Sequence, residues 1–433
     1  MKIYIKTLGC DKNICDSDYV AGLLASEGHR ITDDPAKADI MLINTCGFIK
    51  DAKVQSIESI FELAAIKKDK QRLFVSGCLS QRYGAELAKE IPELDAVLGV
   101  NDYNRLPEII KSEEREILTS KAPRCYEEFG SRKLLEKSYT ASVKISEGCT
   151  NVCTYCAIPF IRGGYRSRKP EDILSEVKML AGSGVKEIQI VAQDTTAYGK
   201  DIKGWSLAKL LKKICKVDGI EWVRLLYCYE DEITDELIQT IKSEKKIVKY
   251  IDIPLQHYSD RILKAMNRKS TPKSIESTIA KLRKEIPDIR IRTTFIVGFP
   301  GETKADFKAL YDFVERARFD RMGVFTYSKE EGTRAAKMPS QVREDAKQRR
   351  LDKLMELQRS ISLEHNEELV GKTMRVIVTE EDSPGVYIGR TEFDAPDIDN
   401  EVIFTSRKKL KPGAFANVLV TGAFDYDLQG EMI

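Results

Sequence analysis

Residues 147–163 read EGCTNVCTYCAIPFIRG and place three cysteines, Cys149, Cys153 and Cys156, within eight positions. This CxxxCxxC spacing supplies three soft thiolate ligands and no fourth. A structural zinc site is closed by four protein ligands, whereas a four-iron cluster held by three thiolates keeps one iron free to bind another molecule. The spacing therefore favours an iron–sulfur cluster with an open coordination position where chemistry can take place.

Two other interpretations of this triplet are a zinc site and a buried helical stripe. Cysteines spaced i, i+4 and i+7 share one face of a helix, and cysteine is often a small buried hydrophobe. Gly148, Asn151 and Pro159 oppose a helix here, because all three favour loops. The histidines of the chain, none of them close to the triplet in sequence, are His29, His257 and His365. We therefore rank a cluster first, zinc second and a core stripe third.

The composition predicts a globular protein of two or three domains. The chain has 433 residues, of which 42% are hydrophobic and 32% charged, and no apolar run is as long as a membrane span. Its N-terminus, MKIYIKTLGC, lacks a secretory signal, so we expect a cytoplasmic protein whose ten cysteines serve metal binding or catalysis. The net charge of +2 gives no global electrostatic footprint for nucleic acid.

Residues 1–105 alternate short apolar runs with helical stretches, which predicts an α/β domain with a parallel sheet. The runs at 3–8, 39–44 and 72–77 are each followed by a cysteine: Cys10, Cys46 and Cys78. Ligands gather beyond the carboxyl ends of the strands in such sheets. A single cysteine there would more often be a buried, inert thiol, but three equivalent positions predict a second three-thiolate cluster.

After a charged connector (106–138), residues 139–340 predict a partial (β/α)6 barrel. Its strand-like runs are 142–146, 187–191, 222–228, 249–254, 291–297 and 322–328. The triplet loop follows the first of them, on the rim where such barrels carry function. Other candidates for cofactor contact that follow strands on this rim are Gln193, Asp194, Gln256, Gly298, Gly301 and Glu302. The alternative for each one alone is turn chemistry or helix capping.

The last part of the chain predicts a linker helix (341–369) and a small all-β barrel (370–433). The barrel segment holds eleven acidic and seven basic side chains, a net charge of −4. Such a surface should repel a phosphate backbone and attract a basic protein.

The loop from Cys149 to Cys156, with Tyr155 before its third cysteine, resembles the signature of the radical S-adenosylmethionine enzymes. The whole chain resembles the methylthiotransferases of that superfamily, with their N-terminal three-cysteine domain, radical barrel and C-terminal TRAM-like barrel. The segments TLGCDKN (7–13), NTCGFIKDAK (44–53) and 147–163 are similar to the branch that modifies an aspartate of ribosomal protein S-twelve. The acidic C-terminal barrel favours the same branch.

The resemblance implies two 4Fe–4S clusters with S-adenosylmethionine as radical source and methyl donor. The implied ligands are Cys149, Cys153 and Cys156 for the radical cluster and Cys10, Cys46 and Cys78 for the sulfur-carrying one. The radical would take a hydrogen from the β-carbon of the aspartyl residue, and no catalytic side chain is implied. The partner would be ribosomal protein S-twelve, free or in the small subunit, while the sulfur donor and the low-potential electron donor are unidentified.

Two alternatives stay open at this point. One is a tRNA adenosine methylthiotransferase with the same clusters. The other, from a different class, is a non-catalytic RNA-binding protein with structural metal centres.

Overall fold

The computed structural model describes residues 1–128, 132–136 and 138–433, and its strands form two open parallel sheets followed by a closed barrel. This confirms the predicted order of an α/β domain, a partial (β/α)6 barrel and a small all-β barrel. Among the described residues, no helix combines the length and apolarity needed to cross a membrane. The predicted connector contains residues 129–131 and 137, which lie outside the described residues.

The first sheet is built from six parallel strands in the order β2-β1-β3-β4-β5-β6. Its elements are β1 (Lys2–Thr7), α1 (Asp11–Ser26), β2 (Arg30–Ile31), β3 (Ile40–Thr45), α2 (Lys50–Ile66), β4 (Arg72–Gly77), α3 (Cys78–Glu90), β5 (Ala96–Leu98), α4 (Leu106–Lys111) and β6 (Glu116–Leu118). All six residues of β3 are buried, as expected for a strand with helices on both faces.

The first domain extends further than the sequence predicted. Both α4 and β6 fall in the segment interpreted as a charged connector, yet β6 pairs with β5 through Ile117 and Val97. The charged residues around β6 suit an edge strand, where one side meets water. Only the part of the connector after Leu118 links this sheet to the next.

The register of the first sheet brings the three predicted cysteine positions to one edge. Thr7 of β1 lies opposite Asn44 of β3, and Thr45 of β3 lies opposite Gly77 of β4. The three strands therefore end at the same level, and the loops that carry the cysteines leave the sheet side by side.

The second sheet has six parallel strands whose order, β7-β10-β11-β12-β13-β14, follows the chain. Its strands are β7 (Thr140–Lys144), β10 (Glu187–Val191), β11 (Trp222–Leu225), β12 (Ile247–Gln256), β13 (Arg290–Val297) and β14 (Arg321–Thr326), and a small ribbon pairs β8 (Ser146–Glu147) with β9 (Arg166–Ser167). Its helices are α5 (Ile158–Arg162), α6 (Pro170–Gly182), α7 (Leu207–Ile214), α8 (Asp235–Ser243), α9 (Asp260–Ala265), α10 (Pro272–Glu285) and α11 (Lys304–Ala317). Single winding of this kind is the arrangement of a partial βα barrel.

The two faces of this second sheet differ in chemistry. Ile188, Val223 and Ile291 lie on the face that packs against the helices and belong to the largest apolar core of the molecule. The alternate positions, such as Glu187, Arg224 and Arg292, carry charges on the inner face. The third domain covers that inner face at the amino ends of the strands.

Helix α12 (Glu344–Glu367) leads to the closed barrel, whose strand order is β15-β16-β17-β19-β18. The strands are β15 (Thr373–Ser383), β16 (Val386–Thr391), β17 (Val402–Thr405), β18 (Phe415–Ala423) and β19 (Leu428–Met432). Short 3-10 helices lie at Pro35–Lys37, Tyr103–Arg105, Glu230–Glu232 and Ala335–Lys337.

The closed barrel covers the amino ends of the second sheet. Arg390 of β16 and Arg224 of β11 both pair with the buried carboxylate of Glu187, the latter at 2.8 Å. Tyr250 donates a hydrogen bond to Asp399 at 2.7 Å, and Arg321 pairs with Asp394. The third domain therefore blocks the amino ends of the second sheet, while the carboxyl ends stay open.

Burial at this interface removes Asp394, Asp399 and Arg390 from the charged surface of the barrel, whose remaining balance stays acidic. Asp394 and Asp399 belong to the acidic surplus counted in the sequence, but both are buried in ion pairs with arginines of the second sheet. Those two carboxylates stabilise the domain interface and are not available to a partner.

The buried Glu187 gives the interface a pH dependence. Burial alone would raise the pKa of Glu187, but Arg390 and Arg224 outweigh burial, so the pKa lies below its ordinary value of 4.5. The stabilisation is complete above 4.5 and is lost as the pH falls through the lowered pKa. We expect Glu187→Gln to reduce the free energy of unfolding by about 3–5 kcal/mol at pH 7, because two buried arginines lose their counter-charge.

Urea unfolding of both proteins at pH 7 and at falling pH measures this effect. The difference in unfolding free energy between the two proteins should shrink below pH 4.5. There the unfolded wild type is stabilised by binding a proton at Glu187, which the variant cannot do. Glu221→Gln is the matched control, because Glu221 forms an exposed pair with Arg375 and should cost at most about 1 kcal/mol. Equal effects of the two substitutions would contradict the interface role of Glu187.

Candidate functional site

The three N-terminal cysteines follow β1, β3 and β4, where the backbone segments after these strands touch one another. A Cβ added to Gly9, whose φ is +99°, would lie 2.8 Å from Cβ of Cys46. A Cβ on Gly47 would lie 2.7 Å from the backbone of Leu79, next to Cys78. Glycine at both positions therefore lets the loops of Cys10, Cys46 and Cys78 close on one point, as the strand-end pattern predicted.

The central cysteine loop is fixed to the rim of the second sheet by its backbone. Cys149 donates its N–H to the carbonyl of Gly163 at 3.0 Å. Thr154 donates its N–H to Met266 at 3.0 Å and its hydroxyl to Ala265 at 2.9 Å. Tyr155 packs in the apolar cluster around Phe299. The loop is thus held at both ends while its cysteine side chains share one space.

The donor chemistry of both triplets fits a metal cluster. Burial raises the pKa of Cys149 to about 11 and that of Cys156 to about 12, and neighbouring thiolates act in the same direction. The pKa of Cys78 is raised to about 11 by burial, with Cys10 and Cys46 adding to the effect. A bound metal displaces the protons from such thiols, and its positive charge compensates the negative charges of the crowded thiolates.

In the described part of the chain, no three His, Cys, Asp or Glu side chains stand close enough to share a single metal ion. A four-iron cluster does not require that closeness, since each thiolate binds a different iron.

A cavity of about 520 Å³ opens beside the central loop. Its walls include Asn151, Cys153, Asp194, Tyr229, Arg268 and Lys269. This size lies within the range of about 300–1,000 Å³ that is usual for small-molecule sites. Asp194 accepts a hydrogen bond from Asn151 at 2.7 Å, which ties the cavity wall to the cysteine loop. The cavity can hold a polar ligand next to the open side of the triplet.

The other predicted rim residues lie outside the walls of this cavity. Gln193 donates to Glu147 at 2.8 Å, and Gln256, with φ of +72°, ends β12. The carboxylate of Glu302 accepts from the Phe299 N–H at 3.1 Å and from Arg350 at 2.9 Å. One Glu302 oxygen thus holds its own turn and the other binds α12, and a cofactor contact for Glu302 stays a prediction.

The two glycines of that turn also have packing partners. A Cβ on Gly298, whose φ is +74°, would overlap the side chain of Lys347 from α12. The carbonyl of Gly301 accepts a hydrogen bond from Arg261 at 2.8 Å. The missing side chain of Gly298 thus serves the packing of α12, and ligand approach remains a prediction for both glycines.

Sequence reasoning missed the residue that joins the two cysteine centres. Arg162, in α5 directly after the central loop, is buried and reaches into the N-terminal domain. Its Nη2 lies 3.4 Å from Sγ of Cys78 and 2.9 Å from both Asn13 Oδ1 and Asp16 Oδ2. Its Nη1 donates to Glu147 at 3.0 Å. Arg162 therefore contacts a thiol of the N-terminal cysteine triplet, while its own helix α5 directly follows the central triplet.

Further buried charges complete this network. Lys144, at the end of β7, pairs with Asp16 and lies 2.7 Å from Glu147. Burial alone would raise the pKa of Glu147, but Arg162 and Lys144 outweigh it and hold the pKa far below the usual range. The only sequence signal for the network is the position of Arg162 and Glu147 on either side of the cysteine loop.

A second contact fastens the N-terminal domain to the rim. Glu330, in the segment after β14, is buried and pairs with Lys53 of α2 at 2.8 Å and with Arg82 of α3 at 3.0 Å. The N-terminal domain is therefore held on both sides of the rim, with its cysteines facing the central loop.

Comparisons with known proteins agree with this architecture. Family models match residues 2–99 (Uncharacterized protein family UPF0004), 143–314 (Radical SAM superfamily) and 370–433 (TRAM domain). A ribosomal protein uS12 methylthiotransferase RimO of Thermoanaerobacter sp. (strain X514) is 49% identical over 432 residues, covering 99% of either chain. A protein of the same name from Clostridioides difficile (strain 630) is 46% identical, covering 100% of this chain and 99% of that one.

Solved structures share the fold at low sequence identity. The radical S-adenosylmethionine methyltransferase TsrM from Kitasatospora setae, with cobalamin and a 4Fe–4S cluster bound, is 14% identical with a TM-score of 0.58. The match covers 89% of this chain and 80% of TsrM. The cobalamin-dependent S-adenosylmethionine radical enzyme OxsB gives a TM-score of 0.53 at 14% identity, over 83% of this chain and 56% of OxsB.

The fold and the two cysteine centres define a radical S-adenosylmethionine enzyme that carries an additional cysteine-bearing α/β domain. With relatives at this identity over almost its full length, the chain belongs to the RimO family of ribosomal protein uS12 methylthiotransferases. The family carries 4Fe–4S clusters and uses S-adenosylmethionine, as the resemblance implied.

Arg162 makes a prediction about the N-terminal centre. Reduction of a cluster adds negative charge, which a nearby guanidinium and its hydrogen bond to Cys78 favour. If Cys10, Cys46 and Cys78 hold one cluster and the central triplet the other, we expect Arg162→Gln to lower the reduction potential of the first and to leave that of the second close to the wild-type value. An EPR-monitored redox titration of the reconstituted protein measures both.

Arg166→Gln is the matched control, because Arg166 is also buried near this helix but donates to the backbone carbonyls of Arg162 and Gly164 and to no cysteine. An unchanged potential in Arg162→Gln, with full iron content, would show that the contact with Cys78 has no electronic effect.

Proposed function

We propose that this chain adds a methylthio group to the β-carbon of an aspartyl residue of ribosomal protein uS12. The observation that carries this proposal is the contact of Arg162 with Cys78, because it sets the two cysteine centres beside each other on one rim. A radical centre and a sulfur-carrying centre must both reach one substrate carbon. Their juxtaposition supports a reaction that uses both.

The bound clusters and S-adenosylmethionine supply a radical that removes hydrogen from an unactivated carbon and the methylated sulfur that replaces it. The six cysteines named above hold the clusters, three to each. The cavity beside the central loop binds S-adenosylmethionine. Asn151 and Asp194 fix its wall, and Arg268 offers a buried guanidinium stacked on Tyr229 at 4.3 Å.

The remaining rim residues have supporting roles in this proposal. Gln193 and Gln256 lie at the ends of β10 and β12 and contact the cofactor or substrate from the inner side of the sheet. Gly298, Gly301 and Glu302 shape the turn after β13 that borders the same rim. We further propose that the three domains divide the work as predicted, with the rim between the first two as the reaction site.

The substrate approaches a rim that the rest of the fold leaves accessible. The closed barrel covers the opposite, amino end of the second sheet, so uS12 reaches the clusters from the side of the N-terminal domain. The reaction takes place in the cytoplasm, where thiols stay reduced and ribosomal proteins are made.

The decisive experiment compares substrates. The anaerobically reconstituted protein is incubated with S-adenosylmethionine, a chemical reductant and sulfide, and with either uS12 or tRNA. We expect mass spectrometry to find a methylthio group on one aspartate of uS12 and none on tRNA, because relatives that share 46–49% of their residues with this chain are uS12 methylthiotransferases. Methylthiolation of tRNA alone would contradict the proposal, and absence of any transfer with intact S-adenosylmethionine cleavage would contradict the role of the second centre.

A further inference from the structure

Lys12 is a buried cation beside the sulfur-carrying centre. It is the second residue of α1, two positions after Cys10, and only 8% of its surface is exposed. Its ammonium lies 3.3 Å from the centroid of the Tyr227 ring. Within the described ranges of the chain, no Asp or Glu oxygen lies within ion-pair distance of this ammonium.

Three other buried cations of this region have carboxylate partners, whereas Arg166 donates to backbone carbonyls. Lys144 pairs with Asp16 and Glu147, and Arg162 pairs with the same two residues. Arg292, on the inner face of β13, lies 3.4 Å from Asp252. A buried charge without a counter-ion is unfavourable, so proteins keep one mainly where a ligand supplies the opposite charge. Lys12 differs from these three cations because no carboxylate of the described residues lies at ion-pair distance from it, and the acidic groups close to it are the Cys10 thiol, the Tyr227 hydroxyl and Asp11. Its ammonium is therefore able to take a carboxylate from a ligand.

The surroundings hold Lys12 in this position. Tyr227 follows β11 on the rim and adopts a left-handed backbone, with φ of +59°. Its N–H donates to Asp252 at 3.0 Å, and its hydroxyl donates to Asp11 at 3.1 Å. The Asp11 carboxylate is therefore engaged by the hydroxyl of Tyr227 and stays away from the ammonium. The Tyr227 ring attracts the ammonium of Lys12 from one side, and a carboxylate can still form an ion pair with the ammonium from another side.

We propose that Lys12 binds the side-chain carboxylate of the target aspartyl residue, which rests on the function proposed above. In aspartate the carboxylate is bonded directly to the β-carbon. A salt bridge from Lys12 would therefore fix the reacting carbon one bond away from the anchored group, between the Cys10 loop and the rim. Charge-assisted hydrogen bonds of this kind discriminate strongly against a neutral isostere.

The test is a double-mutant cycle between enzyme and substrate. Holoenzyme with bound S-adenosylmethionine is titrated with uS12 and with uS12 whose target aspartate is replaced by asparagine, for wild type, Lys12→Met and Lys12→Arg. We expect wild type to bind the aspartate form about tenfold or more tightly than the asparagine form. Lys12→Met should bind both forms equally, and Lys12→Arg should retain the preference.

Three results would overturn the proposal. The first is a wild-type enzyme that binds both forms of uS12 equally, a result that does not depend on how any variant folds. The second is a Lys12→Met enzyme, with wild-type iron content, that still prefers the aspartate form. The third is a lower affinity of Lys12→Met for S-adenosylmethionine in the absence of uS12, since the ammonium would then serve the carboxylate of the cofactor.

Failure of the proposed function is distinguishable from these results. If wild type neither binds nor modifies uS12, the function itself is wrong. If wild type modifies uS12 and Lys12→Met does so with an unchanged KM and an unchanged preference for aspartate, only the role of Lys12 is wrong.

Discussion

The guanidinium of Arg162 is shared between two domains, and the relative position of the two cysteine centres depends on it. It contacts Cys78 and Asp16 from the N-terminal domain and Glu147 from the central one, and all of these groups are buried. A buried guanidinium is stable only when its donors are satisfied, so this arrangement admits few relative positions of the domains. The short helix α5 ties Arg162 to the central cysteine loop, so the same contact positions that loop against Cys78.

Around this contact, the charges of the molecule are arranged so that one end of the second sheet is closed and the other is open. Glu187, Asp394 and Asp399 neutralise inward-pointing arginines at the amino ends of the strands, where the closed barrel sits. At the carboxyl ends, Glu330 fastens the N-terminal domain to the rim. The two cysteine centres, the cavity and Lys12 all lie at this second end. A protein substrate thus meets both centres in one place.

The sequence predicted the two centres because strand ends and cysteine spacing are local patterns. Cys10, Cys46 and Cys78 each follow an apolar run, and parallel register brings such positions together whatever the loops contain. Arg162 and Asp16 are 146 residues apart, and no local pattern links them. Glu302 illustrates a related limit of sequence reasoning, since a strand-end position does not reveal whether a carboxylate faces a ligand or holds its own turn. The charge count of the barrel has the same limit, because it does not show that Asp394, Asp399 and Arg390 are buried, although the remaining balance is still acidic.

If the two cysteine triplets hold two separate clusters, the iron content per chain must fall by half when one triplet is broken. The measurement compares anaerobically reconstituted wild type with Cys46→Ala. We expect about eight irons in wild type and about four in Cys46→Ala, with cleavage of S-adenosylmethionine retained in the variant. Stoichiometric zinc in place of iron, or loss of all iron from Cys46→Ala, would contradict this expectation.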